Sequence, residues 1–190
     1  MTMDVKAELI CSRIAELLKN KDSVIVAIDG RCASGKTTLA AKIAERLDCN
    51  LFHMDDFFLR PEQRSKERRN TPGENVDHER FLSEVLIPLS KGERFSYSPF
   101  DCHTLAFKSP IEIEPKSIAV IEGSYACHSS LKGYYDLCVF SDVAPDEQMR
   151  RITVRNGKEG AEHFKTLWIP LEEAYFNEFG VKENSDICIN

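Results

Sequence analysis

The chain has 190 residues, of which 29% are charged and 42% hydrophobic, and its formal net charge is −6. This length suffices for one hydrophobic core, so we expect a single domain, and the ordinary composition excludes a disordered chain. The negative charge excludes a general nucleic-acid-binding protein, because such proteins need clustered positive charge to displace counterions from phosphates.

The cysteines indicate a reducing compartment. Their number, seven, is odd, and no two of them form a C-x-x-C pair. Several lie in apolar runs, where a free cysteine behaves as a small hydrophobic residue. No apolar run is long enough to cross a membrane, and the first residues lack the hydrophobic region of a signal peptide. We therefore expect a soluble cytoplasmic protein that binds neither membranes nor nucleic acid.

The first half of the chain begins with a helix and a strand. Apolar side chains at helical spacing predict a helix over residues 4–20, and a continuous apolar run predicts a buried strand over 24–29. Residues 30–37 then fit the pattern G-x-x-x-x-G-K-[ST], and a helix is predicted directly after them, over about 36–47. Because a strand precedes the pattern and a helix follows it, this stretch predicts a phosphate-binding P-loop.

The P-loop pattern gives each residue type a chemical role. Gly30 and Gly35 let the backbone turn sharply, so that amide hydrogens converge on phosphate oxygens at a helix N-terminus. Lys36 is predicted to reach the β- and γ-phosphates, and Thr37 to hold Mg²⁺. The predicted nucleotide-binding residues are Gly30, Ala33, Ser34, Gly35, Lys36, Thr37 and Thr38.

Strands and helices alternate along most of the remaining chain, with a small excursion of extended segments over 93–115. This alternation predicts an α/β fold with a mainly parallel sheet, helices on both faces, and ligands at the carboxyl ends of the strands. Further strands are predicted over 51–54, 117–121, 137–140 and 187–189. Further helices are predicted over 77–90, 145–155 and 161–179, with a loop tip at 158–160, and Pro170 is expected to kink the last helix or split it in two.

Residues 59–75 have no apolar period and contain several basic side chains. Such a run is typical of a solvated loop, and a substrate clamp is the alternative. The basic residues concerned are Arg60, Arg64, Lys66, Arg68 and Arg69.

Carboxylates follow two of the predicted strands. Asp55 and Asp56 end the second strand, where a carboxylate can accept a hydroxyl proton or bind Mg²⁺ through water, although such pairs also cap helices. Glu122 ends the strand at 117–121 and can order the water shell of a metal ion. Three arginines on the helix over 145–155 could reach a γ-phosphate from a closing lid, since the arginine fork matches phosphate oxygens. They are Arg150, Arg151 and Arg155.

Taken in order, these motifs resemble the uridine kinase and phosphoribulokinase family of P-loop kinases. The resemblance covers nearly the whole chain, and only the P-loop is highly specific by itself. Besides the P-loop and residues 150–155, it includes 54–58, 75–78 with Phe81, 121–123 and 185–189.

The resemblance implies a single P-loop kinase domain over 1–190 with a five-stranded parallel sheet in the order 2-3-1-4-5. It implies an acceptor-binding insertion at about 57–115 and a lid at about 145–160. The implied activity is transfer of the ATP γ-phosphate, with Mg²⁺, to a hydroxyl of a small molecule, first of all a nucleoside such as uridine or cytidine. The implied catalytic residues are Asp55 as base, Lys36, Arg151 and Arg155; the metal-side residues are Thr37, Asp55 and Glu122; and the acceptor-side residues are Asp55, Phe58, Asp77 (for ribose hydroxyls), Phe100 and His103.

Two departures from uridine kinases keep the acceptor open. Those enzymes have tyrosine in place of Phe58. In their base-recognition segment the histidine follows the aspartate by four residues, whereas His103 follows Asp101 by two. Another riboside, pantothenate, glycerate or a sugar are alternative acceptors, and a non-catalytic ATP-binding regulatory module is the alternative of a different class. The sequence also leaves open a homo-oligomer, a catalytic role for Asp56, and which arginine reaches the phosphate.

Overall fold

The computed structural model describes residues 1–190, and its centre is a five-stranded parallel sheet. The strands lie in the spatial order β2-β3-β1-β4-β5, which is the predicted order. They are β1 (Val24–Gly30), β2 (Asn50–His53), β3 (Ile118–Glu122), β4 (Leu137–Ser141) and β5 (Ile187–Ile189).

Strand β1 shows why the sheet is buried on both faces. Every residue of β1 is buried, and its side chains alternate between two hydrophobic clusters. Ile25 and Ala27 belong to one cluster, and Val24, Val26 and Ile28 belong to the other. Because side chains in a strand point to opposite faces in turn, an apolar run of this kind requires a covering layer on each side.

The chain forms seven α-helices, and two of them continue into π-helical turns. The positions of the α-helices agree with most of the predicted ranges. They are α1 (Met3–Leu17), α2 (Lys36–Ala44), α3 (Lys66–Asn70), α4 (His78–Phe81), α5 (Ile87–Ser90), α6 (Pro145–His163) and α7 (Ile169–Phe179), with π-helical turns over Leu82–Leu86 and Phe164–Trp168.

Two local predictions are wrong, and a third is confirmed. The basic segment contains α3 and a short 3₁₀ turn over Pro61–Gln63, so it is more ordered than a plain loop. The predicted loop tip at 158–160 is helical, and the chain direction changes one step earlier, at Gly157 with its φ of 71°. Pro170 lies in the first turn of α7, directly after the π-helical turn over Phe164–Trp168, so the helix predicted over 161–179 is split there, as the sequence predicts.

The excursion between β2 and β3 forms two small antiparallel pairs, as the sequence predicts. Phe95–Tyr97 pairs with Ile111–Ile113, and Phe100–Asp101 pairs with Ala106–Phe107. All seven cysteines are free. None of the helices combines the length and the apolar character needed to span a bilayer.

Gly30 provides a test of how tightly β1 and β4 pack. Its φ is 130°, and a Cβ placed there would lie 2.1 Å from the backbone oxygen of Ser141. We expect Gly30→Ala to lower the free energy of unfolding by about 2–4 kcal/mol, through overpacking and backbone strain. Urea denaturation measures the change.

Gly133→Ala is the matched control, because a Cβ at Gly133 would meet nothing within 4 Å. Its expected change is below about 1 kcal/mol. Equal urea midpoints for the two variants would show that β4 does not constrain Gly30.

Candidate active site

A cavity of about 1100 Å³ opens at the carboxyl ends of the central strands. One side of it is the P-loop with the start of α2, and the other is formed by the chain that follows β2. The lid helix α6 and the π-helical turn after it complete the wall. This position is the one expected for ligands of a parallel α/β sheet.

The P-loop lines the cavity with most of the predicted nucleotide-binding residues: Ala33, Gly35, Lys36, Thr37 and Thr38, together with Cys32. Positive φ angles at Gly30, Ala33 and Gly35 give the loop its turn, and α2 begins directly after Gly35. The Lys36 ammonium donates to the carbonyl oxygens of Gly30 (2.7 Å) and Arg31 (2.9 Å). The loop therefore has the shape of an anion cradle at a helix N-terminus.

Two predicted nucleotide-binding residues lie behind the loop and do not line the cavity. Gly30 packs against the backbone of β4, and Ser34 is 2% exposed with a hydroxyl that has no hydrogen-bond partner. Gly30 is thus needed for the shape of the cradle.

A buried carboxylate of α7 holds the P-loop in place. The Cys32 N–H donates to Glu172 (2.9 Å), and the Ser124 hydroxyl donates to the other oxygen of the same carboxylate (2.6 Å). Arg31 is held by Glu173 and Asp142 at 2.8 and 2.6 Å. The sequence analysis missed Glu172, since an acidic residue in an amphipathic helix gives no signal of burial.

Glu122 and Thr37, two of the residues predicted for the metal side, lie in contact at the cavity. The Thr37 hydroxyl donates to Glu122, 3.2 Å from each carboxylate oxygen. The His53 Nδ1 lies 2.6 Å from Glu122, and this hydrogen bond raises the pKa of His53 above its usual value. A hydroxyl beside a carboxylate is the kind of oxygen pair that Mg²⁺ binds directly or through water. His53 was also missed, although its place at the end of β2 was a usable signal.

Asp55 and Asp56 have different surroundings. Asp55 lines the cavity, and its carboxylate has no hydrogen-bond partner in the protein. Removal from bulk water and the nearby charge of Glu122 raise the pKa of Asp55 above the usual aspartate value. Asp56 does not line the cavity, and it accepts a hydrogen bond from the Tyr97 hydroxyl at 3.3 Å. Only Asp55 is therefore placed to meet a ligand.

Two of the three lid arginines line the cavity. Arg151 donates to the P-loop carbonyl of Ala33 (3.0 Å), and the Arg155 guanidinium lies 5.5 Å from the centre of the Phe164 ring. Arg150 does not line the cavity and pairs with Glu147 at 2.6 Å. The structure thus places Arg151 and Arg155 near the cradle, as predicted.

The acceptor side agrees with the predictions only in part. Phe58 and His103 line the cavity, whereas Asp77 and Phe100 do not. Asp77 is 2% exposed; it caps α4 by accepting from the Arg80 N–H (3.2 Å), and it accepts from the Gln63 side-chain amide (2.9 Å). Phe100 is buried against Phe107, so both residues support the local fold.

Several lining residues were not predicted as site residues. They come from the basic segment, the loop after β3 and the π-helical turn, and they include Arg64, Arg69, Asn70, Asn75, Tyr125, Leu167 and Trp168. For the two arginines a signal existed, because a substrate clamp is one interpretation of the basic run. The aromatic and aliphatic residues have the spacing of an ordinary core helix, which conceals their position.

The chain matches no protein-family model. It is 24% identical over 188 residues to the uridine kinase of Ureaplasma parvum serovar 3, with 90% of each chain covered. It is 27% identical over 183 residues to the uridine kinase of Macrococcus caseolyticus, which covers 88% of this chain and 87% of the relative. The resemblance predicted from the motifs is therefore confirmed over about nine-tenths of the chain.

Solved structures show the same fold. A possible uridine kinase from Bacillus stearothermophilus has a TM-score of 0.76 at 18% identity and covers 100% of both chains. A proposed fructose transport system kinase from Silicibacter sp. TM1040 has a TM-score of 0.73 at 22% identity and the same coverage. The chain has the P-loop kinase fold. Together with the curated relatives, this fold supports an ATP-dependent phosphotransferase that acts on a hydroxyl group.

The Glu172 carboxylate can be tested as the support of the kinase's P-loop. Glu172→Ala leaves the Cys32 N–H and the Ser124 hydroxyl without an acceptor, so we expect a stability loss of about 1–3 kcal/mol. We also expect ATP binding to weaken about tenfold, measured by isothermal titration calorimetry. Glu178→Ala is the control, since Glu178 is an exposed residue of the same helix. Unchanged ATP affinity in Glu172→Ala would contradict this role.

Proposed function

We propose that this kinase transfers the γ-phosphate of ATP to the hydroxyl of a small-molecule acceptor held beside Asp55. One observation supports this most directly: a P-loop and a carboxylate without a protein partner line the same cavity. A protein that only binds ATP needs the P-loop, but it does not need an acceptor-side carboxylate. A cytoplasmic location and a homo-oligomeric state remain predictions.

The donor side of the proposal follows from the P-loop. Its backbone N–H groups and Lys36 bind the β- and γ-phosphates, and Arg151 and Arg155 neutralise charge on the group in transfer. Thr37 and Glu122 would hold Mg²⁺, which when bound neutralises the phosphate oxygens. The oxygen donors and the 4% exposure of Glu122 fit such an ion.

On the acceptor side, Asp55 orients the hydroxyl and accepts its proton. A raised pKa makes Asp55 a stronger base than an ordinary aspartate, which suits this role. The interruption of α6 at Gly157 gives the lid a point at which it can bend over the bound phosphates. Closure would bring the lid arginines to the γ-phosphate and exclude water.

Relatives named uridine kinases make a nucleoside such as uridine or cytidine the first acceptor to test. Phe58 and His103 line the cavity and offer ring faces to a base. Asp77, however, is engaged in the cap of α4 and offers no contact to a ribose. Other ribosides, pantothenate, glycerate and sugars therefore belong in the same panel.

The role of Asp55 can be separated from that of its neighbour. We expect Asp55→Asn to lower kcat by about 10²–10⁴-fold with ATP affinity retained, because proton acceptance is lost. ADP release from Mg-ATP across the acceptor panel measures this. Asp56→Asn is the matched control, expected to keep activity since Asp56 does not line the cavity.

The pH profile gives an independent check. In the wild type, kcat/KM should fall as the pH drops through the raised pKa of Asp55, above the usual aspartate range. A wild type that binds ATP yet turns over no acceptor would contradict the proposal and favour the regulatory module.

The metal side is tested by Glu122→Gln. Loss of the carboxylate charge beside Thr37 should raise the Mg²⁺ concentration for half-maximal activity about 10–100-fold. Magnesium titrations at saturating ATP measure it, with exposed Glu112→Gln as control. An unchanged magnesium requirement would remove Glu122 from the metal side.

A further inference from the structure

The arginines of the segment after β2 fall into two groups. Arg60 and Arg68 do not line the cavity, and both pair with carboxylates. Arg60 lies 3.2 Å from Glu62, and Arg68 lies 2.6 Å from Glu79. Their charges are thus neutralised within the protein, as is usual for surface arginines in a chain of net charge −6.

Arg64 and Arg69 belong to the second group. Both line the cavity, and neither forms an ion pair. Arg64 is fixed by a hydrogen bond from its Nε to the Leu59 carbonyl (2.9 Å), which leaves its terminal amino groups without a protein partner. A guanidinium held at one end and free at the other is suited to bind a carboxylate or a phosphate with two parallel hydrogen bonds.

The wall around these two arginines contains no acidic residue. Its other polar members are the amides of Asn70 and Asn75, and residues 58–76 contribute only apolar side chains besides these. The acidic residues of the cavity lie elsewhere: Asp55 and Glu122 after their strands, and Glu172 beneath the P-loop. The cavity-lining residues of this segment therefore carry two positive charges and no negative charge, and neither arginine forms an ion pair.

The donor phosphates do not account for that charge. They are served by Lys36 and the lid arginines Arg151 and Arg155, which come from the P-loop and α6. Arg64 and Arg69 come instead from the segment that follows Asp55 and Phe58, which forms the acceptor side.

We propose that the acceptor is an alcohol that also carries a carboxylate or phosphate group, and that Arg64 and Arg69 bind this anionic group. This deepens the phosphotransfer proposed above and depends on it for the reacting hydroxyl. A neutral nucleoside would offer neither guanidinium an anionic partner, whereas a carboxylate or phosphate could pair with both.

Matched acceptor pairs test the charge directly. ADP release from Mg-ATP is measured with glycerate against glycerol, pantothenate against pantothenol, and ribose 5-phosphate against ribose, alongside uridine and cytidine. We expect at least one anionic acceptor to be turned over. The kcat/KM of its neutral partner should be at least about 100-fold lower than that of the anionic acceptor. The first two pairs detect a carboxylate, and the third a phosphate.

Variants assign the preference to the two arginines. Arg64→Gln and Arg69→Gln should each raise KM for the anionic acceptor at least about tenfold, and Arg64→Lys should lie between, because lysine keeps the charge and loses the fork. Lys66→Gln is the matched control, since Lys66 is an exposed basic residue of the same segment that does not line the cavity. Thermal melting verifies that each variant is folded.

A second readout does not need the right acceptor. With a non-hydrolysable ATP analogue and Mg²⁺ in the donor site, tartrate or phosphate should raise Tm for the wild type and Lys66→Gln. It should not do so for the Arg64→Gln, Arg69→Gln double variant, and uncharged erythritol should have no effect.

The outcomes separate the two proposals. One outcome would overturn the proposal of an anionic acceptor and leave the proposed phosphotransfer intact. In that outcome, uridine or cytidine is turned over at least as fast as every anionic acceptor, and the arginine variants have no effect. The same holds if no anion raises Tm. An arginine-dependent Tm increase without turnover of any acceptor would support the anion site and count against phosphotransfer.

Discussion

Two buried carboxylates hold the phosphate cradle on the sheet. Asp29, fully buried at the end of β1, accepts hydrogen bonds from the N–H groups of Gly30 (2.6 Å) and Cys127 (2.9 Å) and from the Tyr175 hydroxyl (2.9 Å). Its burial raises its pKa to about 6. Together with Glu172, it ties the P-loop to the loop after β3 and to α7. The cradle is therefore preorganised by buried hydrogen bonds within the protein, which lowers the cost of ordering the loop on binding.

Among the other polar residues, several that pair within the protein lie outside the cavity. Asp56, Asp77 and Arg150 all have partners in the protein, and none lines the cavity. Asp55 and Arg64 line it with free polar atoms. The hydrogen bond from Tyr97 distinguishes Asp56 from its neighbour Asp55. Arg150 and Arg151 share the partner Glu147, and the further bond of Arg151 to the Ala33 carbonyl distinguishes them.

The fold could be predicted from sequence because its signals are local and mutually consistent. An apolar run, a glycine turn and a helical pattern suffice to identify β1, the P-loop and α2, and alternation along the chain gives the parallel sheet. The site was only partly predictable. Whether Asp77 meets a ligand or caps α4 depends on its hydrogen bonds with Gln63 and Arg80. Whether Arg69 lines the cavity depends on the path of the basic segment. Such side-chain orientations follow from tertiary packing, which periodicity does not report.

The donor side could be predicted better than the acceptor side because its residues lie next to the central strands in the chain. The position of the cradle is fixed by the sheet, because β1 pairs with β3 and α2 begins directly after the P-loop that follows β1. The acceptor wall comes almost entirely from the chain between β2 and β3, outside the sheet ladder. Its residues can change without disturbing the strand pairing of the five-stranded sheet. A likeness of the whole chain to uridine kinases therefore constrains the phosphoryl donor more than the acceptor, whose chemistry depends on the charges of that wall.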